Sequence, residues 1–328
     1  MKHTLVSLLV IIALALTMSV DVCAGTNPLP DTVEVGMYIT SIHNIDLKER
    51  EYNITFWLWL KYDVLKFDFA RYLEIPSAKT VSREFVESDT TNGVVSIMMK
   101  VQCLMKDSWH VENFPFDKQR LWLSIENSHY DVDSLVFVAD TTGRLFDRRV
   151  QWAMVGWKMT DIGNKPISID TTLYQTGFGD KELGIPGIYS AFKCVIRIQR
   201  DASTLLFWKL FLGMYIAFLI SYLCFYIRPG NFDSRFQLSV GALFAAVGNK
   251  YIVESSLPES VTFTLVDCLH IITLLYILLT IAATAISLKI SRTENTIKAY
   301  RFDMISAQSL LFIYIILNII FIVLAHSG

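Results

Sequence analysis

The chain changes its pattern of hydrophobic and polar positions at Arg200. From about Thr32 to that arginine, short runs alternate apolar with polar residues: Tyr52-Asn53-Ile54-Thr55-Phe56-Trp57-Leu58-Trp59, Val94 to Cys103, Leu121 to Ile125 and Phe192 to Ile198. A period of two places one face on a core and predicts strands. Turn-rich pieces, Asp89-Thr90-Thr91-Asn92-Gly93 and Thr176-Gly177-Phe178-Gly179-Asp180, separate some of them. No helical period of any length runs through this half, so a β-sandwich or barrel around one core is expected. Trp57, Trp59, Trp109, Trp122, Trp152 and Trp157 are expected in that core or at a subunit interface.

Past Arg200 four apolar stretches predict helices over about 205–227, 236–255, 262–288 and 305–324. Each is near the roughly 20 residues that cross a bilayer. Arg228 and Arg235 flank the first connection, and Lys289, Arg292, Lys298 and Arg301 crowd the third, whereas Ser256-Leu257-Pro258-Glu259 has no basic residue. The positive charge assigns the first and third connections to the cytoplasm and the β half to the opposite side.

The second stretch is unlike the other three. It carries Gln237, Ser239, Gly241, Gly248, Asn249, Lys250 and Glu254. Polar groups at membrane depth are costly and face a bundle interior or a water-filled path. Gln237, Gly241, Phe244, Gly248, Tyr251 and Ser255 recur at alternating steps of four and three, one stripe down a helix. Leu238, Val240, Leu243, Val247, Ile252 and Val253 fall largely off it and predict an oily back.

Composition adds compartment and exclusions. Of 328 residues 53% are hydrophobic, and the formal net charge is −2, so no basic surface argues for nucleic acid. Lys2, the apolar run Leu8 to Leu16 and Val22-Cys23-Ala24 read as a signal peptide over residues 1–24. The β domain then occupies 25–200 and the membrane domain 201–328. Cys103 and Cys194 lie in strand-like segments, where a bridge between them is open. Without HExxH, GxSxG, a Walker loop or paired intramembrane carboxylates, the chain reads as no enzyme, with no cofactor and no metal site. Asp267 and His270 share a face of the third helix, where a buried polar contact is favoured over a catalytic dyad.

Phe114-Pro115-Phe116-Asp117, then Gln119 and Tyr130-Asp131, resemble the signature loop and following strand of the pentameric ligand-gated ion channels. Arg200 before the first helix, Leu257-Pro258 after the second and Glu254 four residues before that proline fit the same family, over essentially the whole mature chain. Asp107 and Leu121 stand where animal receptors keep the two loop cysteines, and the short linker Ser291 to Arg301 resembles the prokaryotic branch. Leu212 lies near the place of the proline usual in the first membrane helix.

The resemblance implies a homopentamer in the inner (plasma) membrane, its exported β-sandwich above a four-helix membrane bundle. Its partners are four further copies of itself, the bilayer, permeant inorganic ions and a small-molecule agonist or protons. The stripe Gln237, Gly241, Phe244, Gly248, Tyr251 and Ser255 then lines the pore, with Phe244 favoured as the gate and Tyr251 its rival. Apolar rings of this kind close by dewetting. Asp233 and Glu254 at the mouths favour cations, opposed by Arg235 and by Lys250, which is placed to pair with Glu254 on the helix flank. Phe114, Pro115, Phe116 and Asp117, the loop around Asp46 to Glu51, Arg200, Leu257 and Pro258 are the expected coupling elements, with an Arg200–Asp117 ion pair. Glu126, His129, Phe178 and Tyr189 are the implied ligand contacts. His43, His110 and His129 are groups through which protons would act instead. The alternative is a non-conducting membrane sensor of the same fold.

Overall fold

The computed structural model describes residues 29–327 except 64–66, 128, 161–165, 181–184 and 294–295; the side chains of residue 70 and residues 177–186 are likewise left out. The expected signal peptide therefore lies outside the described residues. Among the described residues ten strands form two sheets. The first has the order β4 (Ala78–Thr91), β5 (Val94–Lys106), β2 (Glu51–Tyr62), β1 (Asp31–Asp46), β7 (Leu135–Ala139), with β1 and β7 parallel. The second has the order β3 (Leu73–Glu74), β6 (Lys118–Asn127), β10 (Ile185–Arg200), β8 (Trp157–Met159), and β9 (Ile167–Asp180) also pairs with β10. Two single-turn helices, α1 (Phe69–Tyr72) and α2 (Val150–Ala153), interrupt the strands.

The alternation does what its period requires. Along β2 every second residue from Tyr52 to Leu60 is buried, and these side chains meet Leu121, Leu123, Phe192 and Ile196 of the other sheet in one core. Asn92 and Gly93, both at positive φ, join β4 to β5. That Asn-Gly pair is suited to a two-residue hairpin with the twist of its strands. Thr176–Asp180, expected as a turn, instead belongs to β9, because its backbone continues the ladder with β10 to Asp180 opposite Ile185.

Cys103 and Cys194 are buried with free thiols rather than bridged, and burial pushes both thiols up to about 12. Of the six tryptophans in this half, Trp157 is in the core, while Trp122 and Trp152 are exposed.

Four helices long and apolar enough to cross a membrane follow. They are α3 (Ser203–Leu223), continued by a 3₁₀ turn at Cys224–Tyr226, α4 (Phe232–Glu254), α5 (Leu265–Thr293) and α6 (Thr296–Ser327). This layout is compatible with a multi-pass membrane protein. Boundaries move from the expected ones where charge enters. Backbone bonding carries α5 through Lys289 and Arg292, and α6 begins nine residues before the apolar window at 305, so most of the expected linker from Ser291 to Arg301 is helical. Helix needs only i to i−4 bonding, whereas an apolar window stops at the first charged turn.

Candidate functional site

Two features carry chemistry: the uncovered face of α4 and the junction between sheets and helices. On α4 the buried residues are Arg235, Ser239, Ala242, Ala246 and Val253. This corrects the expected oily back in part: Val253 is buried and Val240 and Leu243 are half-buried, but Leu238, Val247 and Ile252 are exposed at the flanks. Small residues on the packed face let neighbouring helices approach closely. Gly213 of α3 sits against the Asn249 side chain, which donates to Leu210 O at 2.9 Å.

All six residues of the predicted stripe are exposed in the single chain. Phe244 and Tyr251 are 72% and 74% exposed, so neither is packed within its own chain. A Cβ at Gly241 or Gly248 would meet no atom of the described residues within 4 Å.

The charged residues of α4 divide sharply. Arg235 points to the rear, where Nη2 meets Asp303 Oδ2 at 2.7 Å and both side chains are fully buried. Nε and Nη2 also donate to Ile227 O. Lys250 lies on the flank between Glu254 at 3.0 Å and Asp267 at 3.3 Å. Asp233, in the first turn, and Glu254, beside the last, are the exposed carboxylates at opposite ends. Asp267 and His270 do not form a dyad: Asp267 also accepts from Thr264, while His270 meets Val266 O and Asn249 Oδ1.

At the junction Arg200 is the last residue of β10 and Asp117 lies one residue before β6. Their Nε and Oδ1 are 3.2 Å apart, with Asp117 almost fully buried. The guanidinium stacks over Trp157 at 4.0 Å and lies 5.0 Å from the Phe114 ring centre. Burial lowers its pKa, and the Asp117 charge and hydrogen bond oppose that shift. Gln119 donates to the other Asp117 oxygen at 2.8 Å, so the carboxylate is held on both sides.

The loop from Asn113 to Phe116, with a cis Phe114–Pro115 peptide, rests on the helices through Phe116, which meets Phe207 of α3 and His326 of α6. The α4–α5 connection is gripped twice. Arg50 donates to Glu259 O at 2.9 Å, and at its far end the Glu112 main-chain carbonyl accepts from the N–H of Leu265, the first residue of α5, at 2.8 Å. Pro258 is buried and Leu257 packs on the core.

The implied ligand residues come together only in part. Tyr189 faces Tyr174 across the β9–β10 ladder, with rings 6.1 Å apart. Tyr174, which the sequence reading missed, is hydrogen-bonded to Glu126; burial first and then that bond push its hydroxyl well above the ordinary range. Glu126, which accepts from Ser124 at 2.6 Å, and Tyr189 thus both lie beside Tyr174. His129 turns elsewhere, stacking on Tyr72 at 4.3 Å. The Phe178 side chain lies outside the described residues. Tyr174 precedes the misread turn and falls on the polar phase of β9 with Asp170 and Thr172, so alternation carried no signal for it.

No protein-family model and no curated protein matches the chain.

Proposed function

We propose that the chain is one subunit of a pentameric ligand-gated channel that conducts cations, with α4 lining the pore. The observation that carries this reading is the stripe of Gln237, Gly241, Phe244, Gly248, Tyr251 and Ser255, uncovered on a membrane-length helix whose rear is packed on its own subunit. Five copies around an axis turn that face toward water, and the Phe244 ring becomes an apolar constriction between two glycine-widened levels.

Cation preference is supported by the disposition of charge. Arg235 is neutralised behind the helix, Glu254 and Asp267 together outweigh the Lys250 they hold at one end, and Asp233 is exposed at the other. Gating is supported by the Arg200–Asp117 pair and by the hold of Arg50 and Glu112 on the α4–α5 connection. Agonist binding that shifts the sheets would pull on this connection and tilt α4 between two arrangements. The cluster of Tyr174, Tyr189 and Glu126 suits a cationic amine, through ring faces and a carboxylate.

Purified protein in planar bilayers, screened against amines and pH, tests the proposal. Unitary cation currents changed by Phe244→Ala support it; silence under every condition in correctly assembled protein favours the non-conducting sensor.

A further inference from the structure

A second chemistry sits on the outside of the junction. β10 lies between β6 and β8, and Gln199 is paired with Lys118 on one side and with Lys158 on the other. Residues directly opposite in a ladder share a face, so two lysines flank Gln199 in one row, and both are exposed. Arg197 and Arg120 face each other in the same way two residues farther from the helices. Among the described residues neither lysine ends in an ion pair.

Below the row is a cavity of about 420 Å³ walled by Lys118, Lys158, Arg200, Ser203, Thr204 and His326. Its cations outnumber its one carboxylate, Asp117, which Arg200 already matches. The Arg200 Nη2 atom is buried without an acceptor. α3 begins at this cavity with no side-chain cap on its first turn, so the helix dipole adds to the positive field. Farther along α3 from the cavity-lining Ser203 and Thr204, Leu205, Trp208 and Leu212 form one helical stripe and are each more than half exposed.

We infer that this cavity binds a phosphate-type anion, and that its source is the headgroup of an anionic phospholipid whose acyl chain lies along the Leu205–Trp208–Leu212 stripe. The lysine row and the α3 hydroxyls would take the phosphate oxygens. The inference rests on the membrane location of the helices and is independent of ion conduction.

Trp208 makes the site readable, because the other six tryptophans all lie in the β half. The full-length protein is reconstituted with brominated phosphatidylglycerol or brominated phosphatidylcholine, and Trp208 quenching gives the relative lipid affinity. The wild type is expected to prefer phosphatidylglycerol. K118Q/K158Q should cut that preference by about thirtyfold, from roughly 1 kcal/mol for each of the two basic residues near an anionic surface. K118R/K158R should keep it, which separates lost charge from lost folding. Equal quenching by both lipids in the wild type, or an unchanged preference in K118Q/K158Q, overturns the inference. Addition of inorganic phosphate is the second arm. Phosphate that binds wild type but not K118Q/K158Q, without any lipid preference, would give the cavity to a soluble anion and overturn the lipid assignment.

Discussion

α4 and α6 are both largely uncovered in the single chain, yet they uncover opposite chemistry. α6 exposes Ile305, Phe312, Ile316, Ile319 and Val323, a surface that hydrocarbon satisfies. α4 exposes Gln237, Gly241 and Gly248 in line with Phe244 and Tyr251, flanked by Leu238, Val247 and Ile252, and is the least apolar of the four spans. Exposure alone therefore does not identify a lipid face. What a face would need from its surroundings does, and the α4 face needs water or other copies. The two helices are tied by the Arg235–Asp303 pair, which draws the charge of the unusual helix away from its exposed side.

Breaking that tie should have the largest effect. Asp303→Ala leaves Arg235 buried and unpaired, a loss of about 3–5 kcal/mol. Thermal unfolding in detergent would show it, and Arg235→Met with Asp303→Leu should restore most of the stability. Arg200→Lys probes the junction more gently. It keeps the charge but loses the stacking on Trp157, about 1 kcal/mol. The protein should fold and assemble, while its dose-response curve for activation shifts. The smallest effect on stability is expected from Lys250→Ala, about 0.5–1 kcal/mol for a partly exposed pair. Its reversal potential should nevertheless move toward stronger cation preference, and Glu254→Gln should move it the other way.

The strands of β2 and the Asn92-Gly93 hairpin were legible because alternation and positive φ are local properties. The four spans were legible for the same reason, since burial in lipid needs only length and composition. The stripe on α4 was readable from spacing alone. Its packed rear was not: Ser239, Ala242 and Ala246 attract no attention as a core, because their value lies in the neighbour they let approach. Asp303 was also hidden, since a partner 68 residues from Arg235 is chosen by helix packing, not by sequence distance. Tyr174 was hidden because its place opposite Tyr189 depends on the register between β9 and β10, which no local pattern fixes.

The difference between the two faces is tested most directly by single cysteines placed from Gln237 to Ser255, with Ile316→Cys on α6 as the lipid-facing control. Currents through reconstituted protein are recorded while a charged, membrane-impermeant thiol reagent is applied. A pore predicts block at positions 237, 241, 244, 248, 251 and 255, none at 239, 242 or 246, and none at 316. Block that ignores this helical period, or absence of reaction along the whole exposed face in a conducting channel, would contradict it.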